Sequence, residues 1–147
     1  GIVNKNEIIR NRERLPDFYF YTLHGEKYYT ENIKNDNSTV IIFFNTECHH
    51  CTFEIENIIK NAGSFINTNF FLISDQSVKI LKRFSEQYKL YKYPQIEILY
   101  ADYQHITSVF GTVVIPETFI YCKDNNLLKV FKGEVSAEAI LKIINGK

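Results

Sequence analysis

Two cysteines, Cys48 and Cys51, stand two residues apart with His49 and His50 between them. Glu47 precedes the pair and Glu54 follows it by three residues. Directly upstream runs Val40-Ile41-Ile42-Phe43-Phe44, a β-branched apolar run of strand length without polar alternation. Directly downstream the apolar positions Ile55, Ile58, Ile59, Ala62 and Phe65 or Ile66 recur at helical spacing. The pair therefore opens a helix that follows a buried strand. Residues three apart in a first helical turn lie on one side about 5–6 Å apart, within reach of a disulfide. Unpaired N–H groups and the positive end of the helix favour a thiolate at its mouth. Cys48, at that mouth, is expected to be the exposed thiol of lower pKa, and Cys51, one turn in, the buried one. A nucleophile and a resolving thiol follow from position alone.

The neighbours modulate this chemistry. An imidazolium at His49 or His50 stabilises a thiolate at Cys48 and makes the disulfide more oxidising, because the reduced form is favoured. Glu47 pushes the other way, so the sum has no sign from sequence. For Glu54 two readings stand side by side. In one it is a carboxylate beside the sulfurs with a raised pKa, able to accept the proton of Cys51. In the other it is a solvated first-turn acid complementing the helix dipole. Farther along, Ile115-Pro116-Glu117-Thr118 opens an apolar run to Cys122. A proline at the start of an interior strand cannot donate to the ladder. A cis Ile115–Pro116 bond would place a backbone edge beside the cysteines, whereas the trans form is the ordinary state of an X–Pro bond.

The surrounding elements must hold these groups in place. Phe18–Leu23 and Lys27–Thr30 read as a hairpin around His24-Gly25-Glu26, and Glu31–Asp36 as a helical turn. Strands are expected at Val40–Phe44, Phe70–Ile73, Ile96–Tyr100, Thr118–Cys122 and Leu127–Phe131. Helices are expected after the cysteines, through Val78, Leu81, Phe84 and Tyr88, and after the cap Ser136. Alternating strands and helices closed by a hairpin and helix imply an α/β fold: a central mixed β-sheet flanked by helices, with an N-terminal β-hairpin extension. The chain of 147 residues is one domain in size. It divides into a polar arm, Gly1–Leu15, and a domain, Pro16–Lys147. Seventeen basic residues balance seventeen acidic ones, so nothing marks a nucleic-acid binder or a polybasic membrane protein. No apolar run reaches the roughly 20 residues of a membrane helix. The arm reads first as a frayed terminus and second as a spacer toward a membrane anchor or leader absent from this sequence, through which alone a membrane is expected to enter.

Asn45–Cys51 with its preceding strand, and Ile115-Pro116-Glu117-Thr118-Phe119-Ile120, together resemble a thioredoxin-fold thiol–disulfide oxidoreductase. The hairpin Phe18–Thr30 and Glu54 narrow the resemblance to the TlpA-like and ResA-like branch, over Pro16 to about Ile144. The resemblance implies Cys48 as attacking thiol, Cys51 as resolving thiol, Pro116 as a cis-proline after Ile115, and Glu54 as the active-site glutamate. It also implies protein thiol or disulfide substrates, an upstream electron-transfer partner, no cofactor, and an extracytoplasmic, periplasmic or membrane-tethered setting. Some positions depart from the family pattern. Glu47 replaces an aromatic, His49-His50 lacks a proline, Ile42 replaces a buried acid, Cys122 an Asp and Asn125 a Gly.

Two rival readings share the same residues. Cys48, His49, His50 and Cys51 are all copper or zinc ligands by type. Four consecutive residues at a helix start cannot all face one ion, however, and no second ligand pair follows. A thiol peroxidase of the peroxiredoxin type matches Thr46 but lacks the upstream proline, since Ile42 and Phe43 occupy that stretch. Cys122 reads as a small buried side chain in a strand. His24 and His105 read as loop or core-edge residues, and Tyr88, Tyr91, Tyr93, Tyr100 and Tyr103 are assigned no function.

Overall fold

A computed structural model describes residues 13–33 and 36–146. Most of the arm and the middle of the expected Glu31–Asp36 turn lie outside the described residues. Before that gap, Thr30–Asn32 forms a single 3₁₀ turn. At the end of the arm, Leu15 donates its N–H to the Asn125 carbonyl at 2.9 Å, and the Arg14 guanidinium donates to Asn126 Oδ1 at 2.8 Å.

Seven strands form one sheet: β1 (Tyr19–Tyr21), β2 (Lys27–Tyr29), β3 (Ser38–Phe43), β4 (Thr68–Ser74), β5 (Ile96–Tyr100), β6 (Glu117–Tyr121) and β7 (Leu127–Lys132). Their spatial order is β2-β1-β5-β4-β3-β6-β7. The centre is parallel: β3 pairs with β4 and β4 with β5. β6 and β7 join antiparallel on one side, and the β1–β2 hairpin joins β5 antiparallel on the other through Tyr21 and Tyr100. The expected mixed sheet with a hairpin extension is thus present. Gly25 turns the hairpin at φ +83°, a backbone region glycine enters without steric cost.

Four α-helices flank the sheet among the described residues: α1 (His49–Lys60), α2 (Val78–Gln87), α3 (Tyr103–Phe110) and α4 (Ala137–Ile144). Strand alternation sorts the core into two layers. Val40, Ile42, Phe70, Leu72, Ile98 and Ile120 point toward α1, α2 and α4, burying Ile55, Ile58, Leu81, Phe84 and Ile140. Ile41, Phe43, Phe71, Ile73 and Phe119 point the other way, onto Ile106 and Phe110 of α3. Every central strand is covered on both faces, which is why β3 reads as an unbroken apolar run.

Several boundaries and one helix differ from the sequence expectation. The motif helix begins at His49 and ends at Lys60, and Ala62–Phe65 continues it only as a 3₁₀ turn. Of the alternatives at its end, Phe65 is the buried residue and Ile66 is exposed. Helix α3 has no counterpart among the expected elements. Its Asp102 cap, which accepts the His105 N–H at 2.8 Å, and the Gly111 that follows it are ordinary helix punctuation. Eight residues make its apolar period short. Cys122 is a correction: β6 ends at Tyr121. Cys122 sits half-buried in the following turn, its carbonyl accepting the Asn125 N–H at 2.8 Å. Asn125 holds φ +66° there, a left-handed conformation that Asn tolerates better than most side chains. That explains how Asn serves where the resembled family carries Gly.

Candidate active site

The strand β3 delivers the chain through Phe44 and Asn45 to the mouth of α1. The Cys48 N–H donates to the Asn45 carbonyl at 3.1 Å, and the Glu47 N–H to Asn45 Oδ1 at 2.8 Å. Gln76 clamps the loop: its Oε1 accepts the Thr46 N–H at 2.8 Å and its Nε2 donates to Thr46 Oγ1 at 3.1 Å. Cys48 is the N-cap of α1, and its carbonyl accepts the Thr52 N–H at 3.1 Å. The cysteines are free thiols, Cys48 half-buried and Cys51 with no exposed surface. Burial pushes the Cys51 thiol up to about 12; a backbone hydrogen bond from Asn45 opposes this, while the adjoining Cys48 sulfur and Glu54 add to it. The helix places Cys51 one turn in from the N-cap Cys48, on the neighbouring position of the same mouth.

Glu54 is 1% exposed, so the solvated reading of this residue does not hold. Its Oε2 accepts from Thr118 Oγ1 at 2.6 Å and its Oε1 from the Val135 N–H at 3.0 Å. Burial pushes its carboxyl up to about 7; the Thr118 and Val135 hydrogen bonds oppose the rise and the charge of Glu134 adds to it. A cavity of about 310 Å³, lined also by Glu56, Asn57, Lys60 and Glu134, opens beside this carboxyl.

Strand β6 brings the second half of the site. The Ile115–Pro116 bond is cis. The β3–β6 ladder pairs Ile42 with Thr118 and Phe43 with Glu117. One step beyond the last pair lie Phe44 and Pro116, so the proline falls at the end of the sheet from which the cysteines project. The Pro116 carbonyl accepts the Gly133 N–H at 2.8 Å, and the buried Glu117 accepts the Val114 N–H at 3.0 Å. Ile115 is exposed beside them.

Of the modulating residues, Glu47 and His49 are exposed on the rim. His50 Nδ1 lies 3.0 Å from Glu134 Oε1, with both side chains largely in solvent. Sequence reasoning names neither Glu134 nor Val135, since both come from the loop before α4, some 80 residues from Glu54. Thr118 stands inside the quoted motif, but its role as hydrogen-bond donor to Glu54 has no signal there. Among the described residues, no group of three or more His, Cys, Asp or Glu side chains is placed to hold a metal ion.

A dithiol at a helix mouth, backed by a buried carboxyl farther along the same helix and carried on this sheet fold, marks a thioredoxin-like thiol–disulfide oxidoreductase. The chain belongs to the AhpC/TSA family, whose sequence profile matches residues 12–130. No curated protein matches it. Among solved structures it shares its fold with a putative thioredoxin from Neisseria meningitidis at 22% identity and TM-score 0.74, covering 89% of this chain and 87% of that one. A secreted Mycobacterium tuberculosis disulfide oxidoreductase homologous to E. coli DsbE aligns at 15% identity and TM-score 0.74, over 98% and 100%. A peroxiredoxin-like protein from Aquifex aeolicus aligns at 15% identity and TM-score 0.69, over 89% and 84%.

Proposed function

We propose that the protein exchanges its Cys48–Cys51 dithiol with disulfides of partner proteins, in the manner of the TlpA-like and ResA-like branch. The Cys48 thiolate attacks one sulfur of the partner's disulfide, forming a mixed disulfide and releasing the partner's other sulfur as a thiolate that takes up a proton. Cys51 then gives its proton to Glu54 and attacks the Cys48 sulfur. The Cys48–Cys51 disulfide forms, the partner's second thiolate leaves, and two electrons have passed to the partner. An upstream dithiol donor reverses the sequence to restore the pair. The observation that carries this reading is the asymmetry of the two sulfurs: one reaches solvent, and the other is buried near a carboxyl poised near neutrality. Pro116, in its cis bond after Ile115, supplies the edge along which the partner's chain lies.

An extracytoplasmic setting belongs to the same proposal, supported by the likeness to the mycobacterial oxidoreductase, which is a secreted protein. Among the described residues no helix is long and apolar enough to cross a membrane, so tethering would rest on a segment outside them. The test is a Cys51→Ala chain incubated with oxidised insulin and run on a non-reducing gel. A covalent adduct that disappears with dithiothreitol is expected; its absence, with Cys48 titrating as a free thiol, overturns the exchange.

A thiol peroxidase reading has the peroxiredoxin-like neighbour behind it. Hydrogen peroxide consumption that depends on Cys48 and outpaces disulfide reduction would favour it over the exchange.

A further inference from the structure

Cys48 borders a groove of about 560 Å³ between α1 and α2, separate from the cavity at Glu54. That volume lies in the range of small-ligand clefts, about 300–1,000 Å³. Thr52 continues the α1 wall; Ile80, Arg83, Phe84 and Tyr88 form the α2 wall. The groove is held open at both ends by side-chain hydrogen bonds between the elements that build it. Gln76, just ahead of α2, is bonded twice to Thr46, just ahead of α1. At the far end the Tyr88 hydroxyl donates to Glu56 Oε1 at 2.8 Å. Phe84 is fixed underneath, its ring 5.2 Å from Phe44 and 4.7 Å from Tyr88. The shape is therefore built in before any partner arrives.

Length and charge say what fits. From Ile80 to the C-cap Tyr88 is eight residue steps, about 12 Å, which an extended chain covers in three to four residues. The α2 wall is apolar at Ile80, Phe84 and Tyr88. Its one cation, Arg83, makes no ion pair among the described residues. Glu47, at the Cys48 end, carries the opposite sign.

We infer that this groove selects the protein substrate: it takes the three to four residues flanking the partner's reactive cysteine, in extended form, with an apolar side chain on the exposed Ile80 and an acidic one on Arg83. The inference rests on the exchange reaction proposed above and names the class of polypeptide that reaction serves. The acid is favoured at the level of Arg83, between Glu47 at the Cys48 end and Glu56 at the far end. Arg83 acts here as a specificity residue and touches no reacting sulfur.

The test uses the whole chain, reduced and freed of reductant, with two disulfide-linked peptide dimers. Each peptide carries one cysteine with leucine and aspartate at the second to fourth positions on both sides, or lysine in place of aspartate. Hydroxyethyl disulfide, which has no side chains to place in the groove, is run in parallel to report the exchange itself. The acidic dimer is expected to react about tenfold faster than the basic one, the equivalent of about 1.4 kcal/mol. The ratio is expected to shrink in 1 M salt, to approach one in Arg83→Gln and to invert in Arg83→Glu. Rates are taken as the ratio of the two peptides within each variant, so a variant that folds poorly does not mimic the result. Equal rates for the two peptides in the parent chain, or a preference that survives Arg83→Glu, overturn the inference while leaving the exchange standing. If neither the peptides nor hydroxyethyl disulfide react, the exchange reading fails and the inference falls with it.

Discussion

One helical turn separates Cys48 from Cys51, yet the two sulfurs occupy different media. The side facing solvent holds Cys48, the exposed imidazole of His49 and the His50–Glu134 pair, whose side chains are 75% and 43% exposed. The inward side holds Cys51 and Glu54, both essentially without exposed surface, with both carboxylate oxygens of Glu54 hydrogen-bonded. In water a charge–charge contact at 4 Å is worth about 1 kcal/mol, and several times more where solvent is excluded. The outward side can therefore change residue types cheaply, whereas the inward side sets how protons move. In the proposed exchange, the same two-residue spacing yields one thiol for capture and one for release.

The largest effect expected is at the capturing sulfur. Cys48→Ser should reduce insulin turbidity rates to those of the dithiothreitol background, whereas Cys51→Ala should retain the first step and stall as the mixed disulfide. A Cys48→Ser chain with the rate of the parent would erase the distinction between the two sides.

Next comes the buried acid. Glu54→Gln keeps an acceptor for Val135 and an amide facing Thr118, so it removes the proton acceptor with little change of shape. Release of the mixed disulfide is expected to slow about 10²-fold, the low end for a positioned general base. In the parent, this step should gain speed as pH rises through about 7, where Glu54 loses its proton; the Gln variant should lack that limb. Stability carries the opposite sign. The folded carboxyl holds its proton up to about 7, and the ordinary carboxyl only to 4.5. Between those values the folded state binds more protons than the unfolded one, so stability falls as pH rises through that window. The fall amounts to about 3 kcal/mol and is complete above 7. Urea titration of the parent and of Glu54→Gln at pH 4.5 and pH 8 should show the parent losing stability between the two while the variant does not.

How much of this is legible in the sequence follows the same division. β3 announces itself because burial on both faces leaves no polar alternation, and the motif helix because its apolar residues recur every three or four positions from Ile55. Cys51 follows from Cys48 by helical geometry alone. The state of Glu54 does not: solvation is as good a reading as burial, because its partners are Thr118, brought in by β6 pairing with β3, and Val135 in the loop before α4, 64 and 81 residues away. The groove beside Cys48 is equally hidden, since it exists only where α2 lies against α1. Helix α3 escapes for a different reason: its eight residues give two buried positions, Ile106 and Phe110, too few to establish a period against the surrounding aromatics.

Thr118→Val tests the inward side without touching a titrating group. The substitution keeps the shape and removes the hydroxyl that donates to Glu54 at 2.6 Å. A hydrogen bond to a charged group contributes about 1.5–3 kcal/mol, and this one favours the ionised carboxyl. Its loss should move the Glu54 limb of the release step upward by about one to two pH units. An unmoved limb would mean that the base is some other group.

The smallest effect belongs to Glu134, where the two sides meet. Its carboxylate pairs with His50 at 3.0 Å on the outside, while its charge raises the proton affinity of Glu54 on the inside. Val135, its neighbour in the chain, is pinned to Glu54 by its own N–H. Glu134→Gln leaves that backbone hydrogen bond in place and deletes only the charge. An exposed pair of this kind is worth at most about 1 kcal/mol, so stability should change by less than that. With a like charge removed, the Glu54 limb should move downward by a few tenths of a pH unit, opposite in sign to Thr118→Val. The shift should fade in 1 M salt, because solvent and ions reach Glu134 and do not reach Thr118. A downward shift of a full unit that resists salt would place Glu134 electrically inside the protein, and the line drawn between the two cysteines would then have to be moved outward to include His50.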